Sequence, residues 1–161
     1  MFDRTKAIET ILFIAERVEN PTFHTISKML YFADKIHLEE YGRLICDDRY
    51  IAMEYGPVPS SVYDIMKSND AIFNDAFVTD GFVVQPRRKS DLDEFSQSDI
   101  KCMEQAIQEY SSYSFGELTD ISHQDSAWKN APRDREMTLE SIAKMIDESG
   151  DLLEYLQDKH P

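Results

Sequence analysis

The chain has 161 residues, 42% hydrophobic and 30% charged, and its 17 basic residues stand against 31 acidic ones for a formal charge of −14. Such a balance has enough apolar surface to offset the chain entropy lost on folding, which excludes disorder over most of the length and predicts one domain over residues 1–161. The acidic excess opposes contact with phosphates, so no nucleic-acid partner is expected.

In chain order, Ile8, Ile11, Leu12, Ala15 and Val18 recur at helical spacing, with Asp3 as N-cap and Asn20-Pro21 as the stop, predicting a first helix over 3–19. Its apolar run from Ile11 to Ala15 is far short of a membrane span, and acidic Asp3 and Glu9 precede it where a secretory signal is basic, so a cytoplasmic protein with no membrane partner is expected. A second helix is predicted from about His24 to Tyr41, where Ile26, Met29, Leu30, Ala33 and Ile36 form one face and Gly42 supplies a left-handed stop. Tyr31, Phe32 and Leu38 widen that face, as expected for the central, multiply buried element.

Residues 49–55 are aromatic and branched and predict a short strand, ended at Gly56-Pro57 because proline removes a ladder donor. Pro57 and Pro59 then predict a rigid corner, with Ser60 or Ser61 capping a helix that carries Val62, Ile65 and Met66. Residues 76–85 read as a hairpin turning on Asp80-Gly81. Arg87-Arg88-Lys89 reads as a solvated loop. Ser96 or Ser98 begins a helix through Ile100, Met103, Ile107 and Tyr110, Ser114 and Glu117 form a capping box before Leu118 and Ile121, and Thr138 begins a helix through Ile142 and Ile146. Residues 127–137 stay unassigned, and 151–159 form a helical tail. The expected class is α+β, predominantly α-helical, a compact helical domain with a small antiparallel β-hairpin or sheet.

Reactive groups are scattered. His24, His37, His123 and His160 share no metal-ligand spacing, so neither a metal nor a cofactor is expected. His37, flanked by Asp34 and Glu40, reads as a surface pair. Cys46 and Cys102 read as unpaired thiols, and Asp47-Asp48 disfavour a thiolate at Cys46. Tyr55-Gly56-Pro57-Val58-Pro59 through Tyr63 sets two phenols around a stiff backbone, a reading divided evenly between tight packing and a partner contact. His123 and Trp128, the only tryptophan, read as a hydrogen-bonded corner or a binding hot spot. No catalytic residue is assigned; a hydrolase with His123 beside Asp120 or Asp125 is the less favoured alternative.

These two stretches, with Lys28-Met29-Leu30-Tyr31-Phe32-Ala33 and the downstream Tyr41-Gly42-Arg43, resemble the Panacea domain, the SocA-like antitoxin family of bacteria and phages. The resemblance covers about residues 3–147 and rests most on Gly56-Pro57-Val58 and on Ser122-His123 to Trp128. It implies an antitoxin that neutralises a cognate toxin encoded beside it by direct contact, and some relatives deliver the toxin to a protease. Tyr31, Tyr55, Pro57, Pro59, Tyr63, His123 and Trp128 are the candidate contact residues. A phage-associated acidic decoy for a nucleic-acid-binding protein is the other reading. No added basic helix-turn-helix segment is seen, so autoregulation by this chain is not expected.

Overall fold

A computed structural model describes residues 1–68 and 75–159, and His160 lies outside them. Helix α1 (Arg4–Arg17) starts at Asp3, whose carboxylate accepts the Lys6 amide at 3.0 Å, and buries Ile11, Leu12 and Ile14. Helix α2 (Phe23–Tyr41) starts at Thr22, whose hydroxyl accepts the Thr25 amide at 3.1 Å, and stops where Gly42 takes φ +75°. It runs through the centre of the fold as its wide apolar surface implies. Met29, Leu30, Tyr31, Phe32, Ala33 and Leu38 are all buried, on several faces of one helix. Burying a side chain of that size stabilises by about 1.5–3 kcal/mol, so α2 is the element on which the rest is organised.

Strands β1 (Tyr50–Met53) and β2 (Gly56–Pro59) form an antiparallel hairpin, with Tyr50 opposite Pro59 and Met53 opposite Gly56. The expected corner at Gly56–Pro59 is therefore a strand. Proline is tolerated because Pro57 lies opposite Ala52, whose own amide and carbonyl are spent on the far side, on the Arg135 carbonyl and the Asp134 amide, both at 2.9 Å. Position 57 asks for no ladder donor, and edge strands are where proline is allowed. Strand β5 (Glu136–Met137) completes a sheet of order β2-β1-β5.

Helix α3 (Ser60–Lys67) follows at once, and neither Ser60 nor Ser61 caps it. Asp48 does so from outside the helix: its carboxylate accepts the Ser61 amide at 3.1 Å and the Val62 amide at 2.9 Å. Strands β3 (Phe77–Asp80) and β4 (Val83–Pro86) pair with Asp80 opposite Val83, so the turn residues are Gly81 and Phe82, one position later than the Asp80-Gly81 expected. Gly81 has φ +62° and Phe82 does not have positive φ, the pattern of a II′ turn, which needs glycine only at its first central position.

Helices α4 (Gln97–Tyr110) and α5 (Phe115–His123) begin with the capping boxes Ser96/Asp99 and Ser114/Glu117. The unassigned stretch holds α6 (Ser126–Asn130) as well as β5, both too short to leave a period. Helices α7 (Leu139–Ile146, capped by Thr138) and α8 (Asp151–Lys159) close the chain, and Tyr155 of α8 packs over Gly42. The fold is α+β and mostly helical, with two small antiparallel sheets.

Arg87-Arg88-Lys89 form an exposed loop as read, but Arg88 also reaches inward and grips the buried Glu9 carboxylate with two hydrogen bonds of 2.8 and 2.7 Å, which hold that carboxyl below its usual range. The surface reading of His37 is corrected. His37 is fully buried. Its Nδ1–H donates to the Arg43 carbonyl and its Nε2 meets the Ser98 hydroxyl, each at 2.8 Å, while desolvation lowers its pKa. Asp34 turns inward, accepting the Ile45 amide at 2.7 Å and the Tyr50 hydroxyl at 2.6 Å; burial pushes its pKa up to about 7. Both cysteines are buried and unpaired, with desolvation raising each thiol pKa.

Candidate functional site

Three of the four sequence motifs meet at the β1–β2 hairpin, whereas Tyr41-Gly42-Arg43, at the far end of α2, packs against α4 and α8. Side chains from α5 and α6 donate to backbone carbonyls at the hairpin turn, and a polar group held away from water costs stability unless it is paired. Trp128 of α6 donates its indole Nε1–H to the Met53 carbonyl at 2.9 Å. His123 at the end of α5 places Nε2 2.9 Å from the Glu54 carbonyl, an acceptor only, so Nε2 carries the proton. The two rings stack at 3.8 Å, 13° from parallel, and the Arg133 guanidinium covers the indole 3.8 Å from its centroid.

From the other side, Lys28 of α2 crosses beneath the hairpin and donates to the Pro57 carbonyl at 2.9 Å. This amine is 1% exposed and has no carboxylate within ion-pair distance among the described residues. Desolvation lowers its pKa to about 7. Gly56 lies between it and α5 at φ +111°, where a Cβ would overlap the Ser122 hydroxyl and come within 2.7 Å of Lys28 Cε. Ser122 donates instead to the Thr119 carbonyl at 2.9 Å. Asp125 joins α2 to the same corner, accepting from the Tyr31 hydroxyl at 2.5 Å and from Lys35 at 2.8 Å. Lys28, Gly56, Ser122, His123 and Trp128 thus form one brace that sets the hairpin against α2 and α5.

Of the candidate contact residues, Tyr31, Pro57 and Pro59 are buried and act from inside the brace, so they offer no surface to a partner. His123 and Trp128 are half-buried, with His123 Nε2 and Trp128 Nε1 spent on the hairpin carbonyls. His123 forms no hydrogen bond to Asp120 or Asp125, and Asp125 accepts from Tyr31 and Lys35 instead.

Tyr55 is exposed and Tyr63 half-buried, and both line a cavity of about 860 Å³ between the start of α2, the β1–β2 turn and the β3–β4 turn. Sequence reasoning missed its other walls. Phe82, at the tip of β3–β4, packs edge-to-face on Phe23 at 5.7 Å, and Phe23 does the same on Tyr63 at 5.9 Å. Phe115 stacks on His24 at 3.9 Å and meets Tyr55 at 5.3 Å. Desolvation, with Lys28 close by, lowers the His24 pKa to about 4. The available signal was a phenylalanine in a turn, where a polar residue is usual.

Among the described residues no helix is long and apolar enough to cross a membrane. No curated protein and no solved structure matches the chain. A family model described as antitoxin SocA-like, Panacea domain, matches residues 26–129, which is more than half of the chain and spans every residue of the brace. The match starts within α2 and ends one residue after Trp128, so α1, β5, α7 and α8 lie outside it. The convergence of three of its separated motifs on one hairpin, together with this match, places the chain in the SocA-like antitoxin family of Panacea domains.

Proposed function

We propose that the chain is the antitoxin of a toxin–antitoxin pair, neutralising a toxin encoded by a neighbouring gene through direct protein contact, and that it works by binding rather than by catalysis. The family match carries this reading. The site chemistry agrees with it. The groups best suited to acid–base work, Lys28, His37, His123 and Asp125, are bonded to backbone carbonyls or to other buried side chains. Beside them stands a stiff, aromatic-bearing surface, the type of surface that recognises a partner with little loss of its own entropy.

The test is to express the adjacent open reading frame in a bacterium with and without this protein, score growth, and co-purify the pair. Toxicity relieved by a co-purifying complex is expected, with association slowed by salt if the toxin is basic. Disappearance of the toxin only when a cellular protease is active marks delivery for degradation as the route. A neighbour that is harmless, or that is toxic but neither bound nor relieved, overturns the proposal.

A further inference from the structure

We propose that the aromatic-walled cavity beside the braced hairpin is a docking site for an apolar segment of a protein partner, anchored by a large aromatic or aliphatic side chain with lysine or arginine next to it. The inference builds on the reading of the chain as a partner-binding protein and adds the face and the chemistry of what binds there.

Size and lining come first. A space of about 860 Å³ falls within the range of sites that enclose a ligand, roughly 300–1,000 Å³. Met53, Tyr55, Phe82 and Phe115 stand at its mouth with 37%, 52%, 68% and 51% of their surface exposed. Large apolar side chains gathered on one concavity mark an interaction surface, whereas scattered ones are ordinary. The inner wall contains Ser27, whose buried hydroxyl has no hydrogen-bond partner among the described residues.

Rigidity is the second argument. Tyr55 extends from a turn whose carbonyls are held by His123 and Trp128, and Phe82 from a II′ turn whose carbonyl accepts the Phe23 amide at 2.8 Å. Walls fixed before binding lose little freedom on binding, which is how aromatic pockets become hot spots.

Charge chooses the occupant. Glu54 and Asp134 line the cavity, are exposed, and have no cation within ion-pair distance among the described residues. Arg133, the exposed cation on the same wall, is committed to the Trp128 ring and to the Trp128 and Ala131 carbonyls. Those partners are neutral, so Arg133 keeps its charge, and two exposed carboxylates against one exposed guanidinium leave this mouth net negative. With −14 on the whole chain, a second copy is repelled and a basic segment is attracted.

Selection of a randomised phage-displayed peptide library on the full chain tests this without any toxin, so its failure is separate from that of the antitoxin reading. Enriched peptides should pair an aromatic or large aliphatic residue with lysine or arginine. Synthetic versions, measured by fluorescence anisotropy, should bind Phe82→Ser and Tyr55→Ser about tenfold or more weakly. The double variant Glu54→Gln/Asp134→Asn should bind roughly threefold to tenfold more weakly, with a flatter salt dependence. Asparagine keeps the positive φ of position 134 accessible, and unfolding curves of each variant check that the fold is kept. No enrichment, enrichment of acidic peptides, or equal binding to the variants overturns the proposal. So does a dimer of this chain that Phe82→Ser dissolves, or a cavity that takes an apolar dye and no peptide.

Discussion

Gly56 is the residue at which the architecture tolerates least. Its φ of +111° is a conformation that side chains rarely adopt, and a Cβ would press on both the Ser122 hydroxyl and the Lys28 stem. The Gly56→Ala variant is expected to lose roughly 2–4 kcal/mol, combining backbone strain with overpacking, read as a lower urea midpoint at unchanged slope. An unchanged midpoint would show that the brace can yield. Lys28 gives a prediction in pH. Its folded pKa of about 7 lies below its ordinary 10.5, so between those values the unfolded chain holds a proton that the folded chain lacks. Stability owed to this group therefore rises with pH across that window, by up to about 1.4 kcal/mol per unit, and is flat below and above it. In Lys28→Met that rise should vanish, seen as a wild-type minus variant difference that grows from about pH 7 to 10.5 in chemical unfolding. A difference independent of pH would mean that the amine is charged when folded.

At the scale of elements, local chemistry and tertiary chemistry divide cleanly. Helices α1, α2, α4, α5 and α7 each have their N-cap just before their own first turn, at Asp3, Thr22, Ser96, Ser114 and Thr138; Asp3, Ser114 and Thr138 were legible, Ser96 was one of two candidates with Ser98, and Thr22 was not read. Helix α3 was legible but its cap was not, because Asp48 reaches it from the loop before β1. The Asp48→Ala variant should cost about 1–2 kcal/mol, since two first-turn amides lose their acceptor, and thermal unfolding would record it. Ser60→Ala should leave the melting temperature nearly unchanged, which separates the two assignments. Strand β2 shows the same division. Two prolines in four residues argue against a ladder until the neighbouring strand is known to have turned its polar groups the other way at the position facing Pro57.

At the scale of the molecule, a chain with 31 acidic and 17 basic residues was readable as a folded, mostly helical α+β protein whose second helix is its centre, and its separated motifs pointed to the family. Periodicity, capping residues and turn glycines carry that information because each acts over a few neighbouring residues. What the motif residues do was not readable from spacing. Lys28, Gly56, Ser122 and Trp128 are far apart in the chain, and their shared task of holding one hairpin appears only when α2 and α5 pack on either side of it. Burial likewise set Tyr31, Pro57 and Pro59 inside the fold, the packing half of a divided reading for the two prolines, since a side chain's exposure depends on what folds over it. The cavity mouth is the same case: Tyr55, Phe82 and Phe115 come from three elements, and nothing short of the tertiary structure sets them around one opening. The sequence by itself determined the longer helices, the β3–β4 hairpin and the family, because those rest on local chemistry, and the tertiary structure alone decided the short elements β2, β5 and α6 and which residues brace the hairpin, because these depend on contacts between distant parts of the chain.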